Sequence, residues 1–90
     1  MSREQRKDGE RRRAFVPAKV VISPRLSCYC SVRDLSLGGA KLGFGSIPKL
    51  PERFELQIAS QGKAHEAEVR WQRGTQVGVA FLSSRRFVES

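Results

Sequence analysis

Between Ala14 and Leu82 apolar and polar side chains alternate with a period of two, and the alternation is broken repeatedly by glycine, proline or serine turns. No other feature limits the fold so strongly. Successive side chains on a strand point to opposite faces, whereas a helix needs a period near 3.6. Six segments carry the strand period. "AFVPAKVVI" (14–22) reads as a first strand, with Pro17 near its start or on an edge. "SCYCSVRD" (27–34) sets Cys28, Cys30 and Val32 against Ser27, Tyr29 and Ser31. "GAKLGF" (39–44) aligns Ala40, Leu42 and Phe44, and "RFELQIA" (53–59) aligns Phe54, Leu56 and Ile58. "KAHEAEVRWQ" (63–72) places His65, Ala67, Val69 and Trp71 on one face, and "TQVGVAFL" (75–82) places Thr75, Val77, Val79 and Phe81 together.

Six short strands and no internal helix imply an all-β, antiparallel barrel or sandwich. Ninety residues suffice for one hydrophobic core and no second one. A chain this short favours closure, because a barrel leaves no strand edge exposed. The final "SSRRFVES" is open to two readings, a helix capped by Ser83 or Ser84, or a frayed end. Residues 1–13 are nearly devoid of apolar side chains, so a flexible basic arm is expected there and the barrel over 14–90.

The charge is uneven. Lys and Arg number 17 against 9 acids, a net charge of +8. Arg3, Arg6, Lys7, Arg11, Arg12 and Arg13 all fall in the arm, opposed there by Glu4, Asp8 and Glu10. Such a balance points to an anionic partner. The chain contains no apolar run near the roughly 20 residues of a membrane span and opens on charged residues, so membrane insertion is not expected and a cytoplasmic location is. Cys28 and Cys30 leave one face of a strand together. No clustered thiols or histidines accompany them, so no zinc site of known spacing is present. His65 is the single histidine and sits on an apolar face, where a core role outweighs a catalytic one. With no partnered nucleophile and no carboxylate pair, the chain does not read as an enzyme.

Two short pieces carry candidate binding chemistry. In "RDLSLGG" (33–39), Asp34 offers an acceptor-only carboxylate and Ser36 a hydroxyl two residues later. Gly39 permits a positive φ, or the close approach of a ligand. A guanine edge, with its N1–H and N2 amine, suits such an acceptor. An Asx-type turn, with Asp34 bonding the nearby backbone, explains the same spacing. In "ERRRAF" (10–15), the planar guanidinium groups can pair with phosphate or with the O6/N7 edge of guanine. A solvated charge run is the alternative. Trp71 and Phe81 read as barrel packing, with base stacking a second reading for Trp71 because it lies near a turn.

Taken together, the arginine run before the first strand, the Asp34-x-Ser36-x-x-Gly39 spacing within "VRDLSLGGAKL" and the closing "VRWQRGTQVGVAF" resemble the PilZ domain family. The resemblance spans about residues 10–82. It implies a six-stranded antiparallel β-barrel that binds the bacterial second messenger cyclic di-GMP. It further implies that Arg11, Arg12 and Arg13 act on phosphates and guanine faces, that Asp34 and Ser36 contact the other guanine edge, and that Gly39 keeps the turn open. Arg33, beside the motif, would add positive charge.

The chain departs from the family's R-x-x-x-R motif, since counting four from Arg12 falls on Val16, from Arg11 on Phe15 and from Arg13 on Pro17. An arginine at position 16 is therefore expected to strengthen binding if the Arg12 alignment holds. Two functions follow from the resemblance. One is a cyclic di-GMP receptor whose arm orders over the barrel and alters the surface shown to a protein partner, with no cofactor. The other is a degenerate PilZ domain that serves protein interaction without nucleotide. Nucleic-acid binding is disfavoured, because only Tyr29 is an obvious exposed aromatic for base stacking.

Overall fold

The computed structural model describes residues 12–87. Within them lie six strands: β1 (Arg12–Ser23), β2 (Leu26–Leu35), β3 (Gly39–Gly43), β4 (Arg53–Ile58), β5 (Lys63–Arg73) and β6 (Gln76–Arg86). They form a closed antiparallel barrel in the order β1-β2-β3-β6-β5-β4, and β4 pairs back onto β1 through Leu56 opposite Val20. The expected fold class is the one observed. A short 3-10 turn, Ala59–Gln61, joins β4 to β5, and Gly62 closes it at a φ of 64° that only glycine adopts without strain. Among the described residues no helix is long and apolar enough to cross a membrane.

The period-two pattern becomes a core directly. Val20, Val32, Leu42, Leu56, Ile58 and Val77 are fully buried, each from an inward position of its strand. Ala18, Cys30, Phe54, Ala67 and Val79 complete the cluster. Removing a buried leucine side chain costs about 2–5 kcal/mol, a large share of the 5–15 kcal/mol that holds a small domain together.

Three features differ from the sequence expectation. β1 begins at Arg12, because the backbone there continues the ladder, with Arg12 opposite Leu35 and Arg13 opposite Asp34. The rest of the expected arm lies outside the described residues. At the other end β6 runs through Ser83 and Ser84 to Arg86, since β5 offers partners as far as Lys63, so no helix starts there. The third difference is one of facing. The β5–β6 ladder carries two irregularities, an extra residue on β6 (Leu82) opposite Glu66 and Ala67 and an extra residue on β5 (Arg70) between Val69 and Trp71. Each shifts the inside–outside parity only on the strand that holds the extra residue. After the second, Trp71 pairs with outward Gly78 rather than following Val69 inward.

Candidate functional site

The D-x-S-x-x-G segment forms the turn from β2 into β3. Ser36 closes it, donating both its backbone N–H at 2.9 Å and its Oγ hydroxyl at 3.3 Å to the Gly39 carbonyl. The Phe81 N–H donates to the Gly38 carbonyl at 2.8 Å and pins the turn to β6. Leu37, at its tip, is 91% exposed. Gly39 is required for a reason other than the expected one. Its φ is not positive; a Cβ there would stand 2.2 Å from the Val79 carbonyl oxygen, so the missing side chain lets β3 approach β6.

Beside this turn lies an open cavity of about 470 Å³, lined by residues that include Asp34, Ser36, Gly39, Lys41, Arg70, Trp71 and Gly78. Ligand pockets for small molecules commonly fall between about 300 and 1,000 Å³. The lining is ordered by strand register. Asp34 on β2 is the Cα partner of Lys41 on β3, Lys41 of Gly78 on β6, and Gly78 of Trp71 on β5. One transverse row therefore crosses four strands and spans three strand spacings, about 14 Å. Arg13 on β1 is the Cα partner of Asp34 and extends the row to a fifth strand.

The chemistry of the row is graded. Lys41 Nζ stands 3.5 Å from Asp34 Oδ2, with the two side chains 37% and 25% exposed. An ion pair this open to water contributes about 0–1 kcal/mol, so a ligand can displace it at small cost. Farther along, the Trp71 indole lies across Gly78, in space that any side chain at position 78 would need. Trp71 is 42% exposed and presents a flat aromatic wall. Arg70, the residue before it, reaches Glu68 at 3.5 Å. A carboxylate at one end, a cation beside it and an aromatic plane at the other end can hold a planar heterocycle that carries negative charge.

Of the residues singled out from sequence, Asp34, Ser36 and Gly39 come together here, and Arg13 is brought into register with them. Arg12 lies one pair along, opposite Leu35, and Arg11 falls outside the described residues. Arg33 does not line the cavity. It occupies the irregularity between Val32 and Asp34, lies over Gly43, and stacks its guanidinium 4.5 Å from the Phe15 ring centre. Its positive charge serves a neighbouring depression that Tyr29 and Phe44 also line. Trp71 was read chiefly as barrel packing, and Lys41, Arg70 and Gly78 were not singled out. Val16, the position where the arginine motif breaks, pairs with fully buried Val32 and packs against the core. An arginine at 16 would lose that packing and start inside the barrel wall, which removes the basis for expecting a simple gain in binding.

His65 is buried, as expected, 6% exposed. It stacks on Phe81 at 3.9 Å, and its Nδ1 shares a 2.6 Å hydrogen bond with the Ser84 hydroxyl. Burial, with a smaller effect from Lys63, pushes its pKa below the ordinary histidine value. Among the described residues no group of three His, Cys, Asp or Glu side chains is placed to hold a metal ion.

Comparison with known proteins agrees with the architecture. No curated protein and no solved structure matches the chain. The family model of the PilZ domain does match, over residues 4–86, which includes all six strands and the cavity beside Asp34. The chain thus belongs to the PilZ domain family, whose members are in general cyclic di-GMP-binding receptors.

Proposed function

We propose that the chain is a cyclic di-GMP receptor, and that the nucleotide lies along the row that starts at Asp34 and ends at Trp71. The carboxylate of Asp34 accepts from the N1–H and N2 amine of one guanine, and Ser36 holds the turn that presents it. Trp71 stacks on a base, a contact worth about 1–3 kcal/mol where it has been removed by substitution. Arg11, Arg12 and Arg13 supply bidentate donors to phosphate or to a guanine O6/N7 edge. Ligand binding then fixes the arm against the mouth of the cavity and changes the surface offered to a protein partner, an order–disorder switch. A single observation supports this reading above the others: strand register sets Arg13, Asp34, Lys41, Gly78 and Trp71 side by side.

Titration calorimetry with cyclic di-GMP, run beside cyclic di-AMP and GTP, tests it. The expected result is heat with cyclic di-GMP alone, lost by roughly one to two decades of affinity in Asp34→Ala. Absence of heat, together with unmoved amide signals for residues 33–39 at high micromolar ligand, overturns it.

One observation favours a second reading. Val16 packs on the core, so the arm motif is one arginine short at a position the barrel has given to packing. On that reading the domain keeps its fold and acts as a protein-interaction module without nucleotide. Partner capture that persists without nucleotide and ignores Asp34→Ala distinguishes it.

A further inference from the structure

The charge inventory of the cavity raises a question that the arginine run leaves open. A cyclic dinucleotide brings two phosphodiester charges, while the arm motif is one arginine short and Arg33 is turned to Gly43. We propose that Lys41 is the phosphate-binding cation of the barrel itself, held in reserve by Asp34 and released when a guanine edge takes the carboxylate. This inference rests on the nucleotide reading above.

Lys41 sits at the centre of the row, Cα partner of Asp34 on one side and of Gly78 on the other. On the Asp34 side its ammonium is 3.5 Å from Oδ2. On the Gly78 side the next group along the row is the indole of Trp71, which lies over the glycine. Lys41 thus lies between the carboxylate and the indole, and all three line the same open cavity.

The exchange is favoured by the groups' donor and acceptor inventory. A carboxylate only accepts, and a guanine edge brings two N–H donors in the plane that suits both its oxygens. An ammonium only donates, and phosphate offers acceptors of the same sign as the carboxylate it leaves. The Lys41–Asp34 contact is exchanged for matched contacts to the ligand, and the two charges of that pair are both used. Among the described residues Arg70 is the other cation of the cavity wall, but Glu68 engages it at 3.5 Å, and Glu68 does not line the cavity. Among the described residues that line the cavity, Lys41 is the cation paired with a ligand-facing group.

The test compares cyclic di-GMP binding by the wild type, Lys41→Met and Lys41→Arg, at low and raised salt, with circular dichroism to verify the fold of each. Lys41→Met is expected to weaken binding roughly tenfold or more and to flatten its dependence on salt, because one screened charge contact has gone. Lys41→Arg is expected to retain most of the affinity. Equal binding by wild type and Lys41→Met overturns the proposal while leaving the nucleotide reading intact. Tighter binding by Lys41→Met also overturns it, since Lys41 would then only compete for Asp34. A wild type that binds no cyclic di-GMP removes this inference and the reading beneath it together.

Discussion

The indole of Trp71 occupies the space that a side chain at Gly78 would fill: a Cβ built there would meet Nε1 at 2.2 Å and Cε2 at 2.3 Å. The aromatic covers a glycine on the neighbouring strand, a pairing that shields exposed backbone and fixes the ring plane. Gly78→Ala must therefore push the ring off the sheet. Trp71 is partly exposed, so the ring can move, and the stability cost should stay near the 1–3 kcal/mol typical of overpacking. Trp71 is the single tryptophan of the chain, so its emission reports directly. A red shift in Gly78→Ala, with the melting transition still cooperative, is the expected outcome; unchanged emission would show that the ring does not rest on Gly78.

The two adjacent glycines of the turn should behave very differently. At Gly39 a Cβ would be 2.2 Å from the Val79 carbonyl oxygen and 3.3 Å from the Ala80 Cα, both backbone atoms that cannot rotate away. At Gly38 a Cβ meets nothing within 4 Å. Gly39→Ala should lose at least 1–3 kcal/mol, about the cost of overpacking a core. Gly38→Ala should stay within about 0.5 kcal/mol of wild type, the range of surface changes. Urea unfolding of the two variants makes the comparison, and equal midpoints would contradict the close β3–β6 approach.

Much of this arrangement was legible in the sequence, and the rest failed for an identifiable reason. Alternation correctly turned Phe54, Leu56 and Ile58 inward, because β4 carries no irregularity along its pairing. Alternation also predicted Trp71 inward, and there it failed. The extra residue between Val69 and Trp71 reverses parity without any marker in residue type. A signal was nevertheless present. Counting outward from the turn at Gly74 pairs Arg73 with Gln76, Gln72 with Val77 and Trp71 with Gly78, and Gly78 alternates outward between Val77 and Val79. The conflict between that count and the inward run of Ala67 and Val69 is itself the sign of an irregularity. Asp34 and Ser36 were found because their spacing belongs to a local turn. Lys41 and Arg70 were missed because only register across strands brings them to it.

His65 gives the barrel a pH dependence whose sign can be worked out. Burial lowers its folded pKa below the ordinary histidine value of 6.5, so between the two values the unfolded chain binds more protons than the folded one. Stability is then full above about 6.5 and falls as the pH drops below it, by up to about 1.4 kcal/mol per pH unit until the folded pKa is passed. Glu55, lowered chiefly by its hydrogen bond from Gln57, loses its contribution in a separate window below the ordinary carboxylate value. His65→Leu should abolish the fall between pH 6.5 and the folded pKa while leaving the more acidic loss. Urea midpoints of both proteins across mildly acidic pH decide this, and a parallel fall in the variant would assign the effect elsewhere.

The two cysteines should be unreactive in the folded protein, and unequally so. Both side chains leave β2 on the inner face, where Cys30 is buried and Cys28 is partly covered. Burial raises both thiols, and Cys30, with Cys28 adding to the effect, is pushed up to about 12. At pH 8 a thiol of that pKa is ionised to only about one part in ten thousand, and the thiolate is the attacking species. Cys30 should therefore resist alkylation until the barrel opens, at a rate that tracks unfolding in added urea, while Cys28 reacts first. Mass spectrometry of a timed iodoacetamide reaction separates the two sites. Rapid labelling of Cys30 at native pH, or faster labelling there than at Cys28, would mean that β2 does not turn this face to the core.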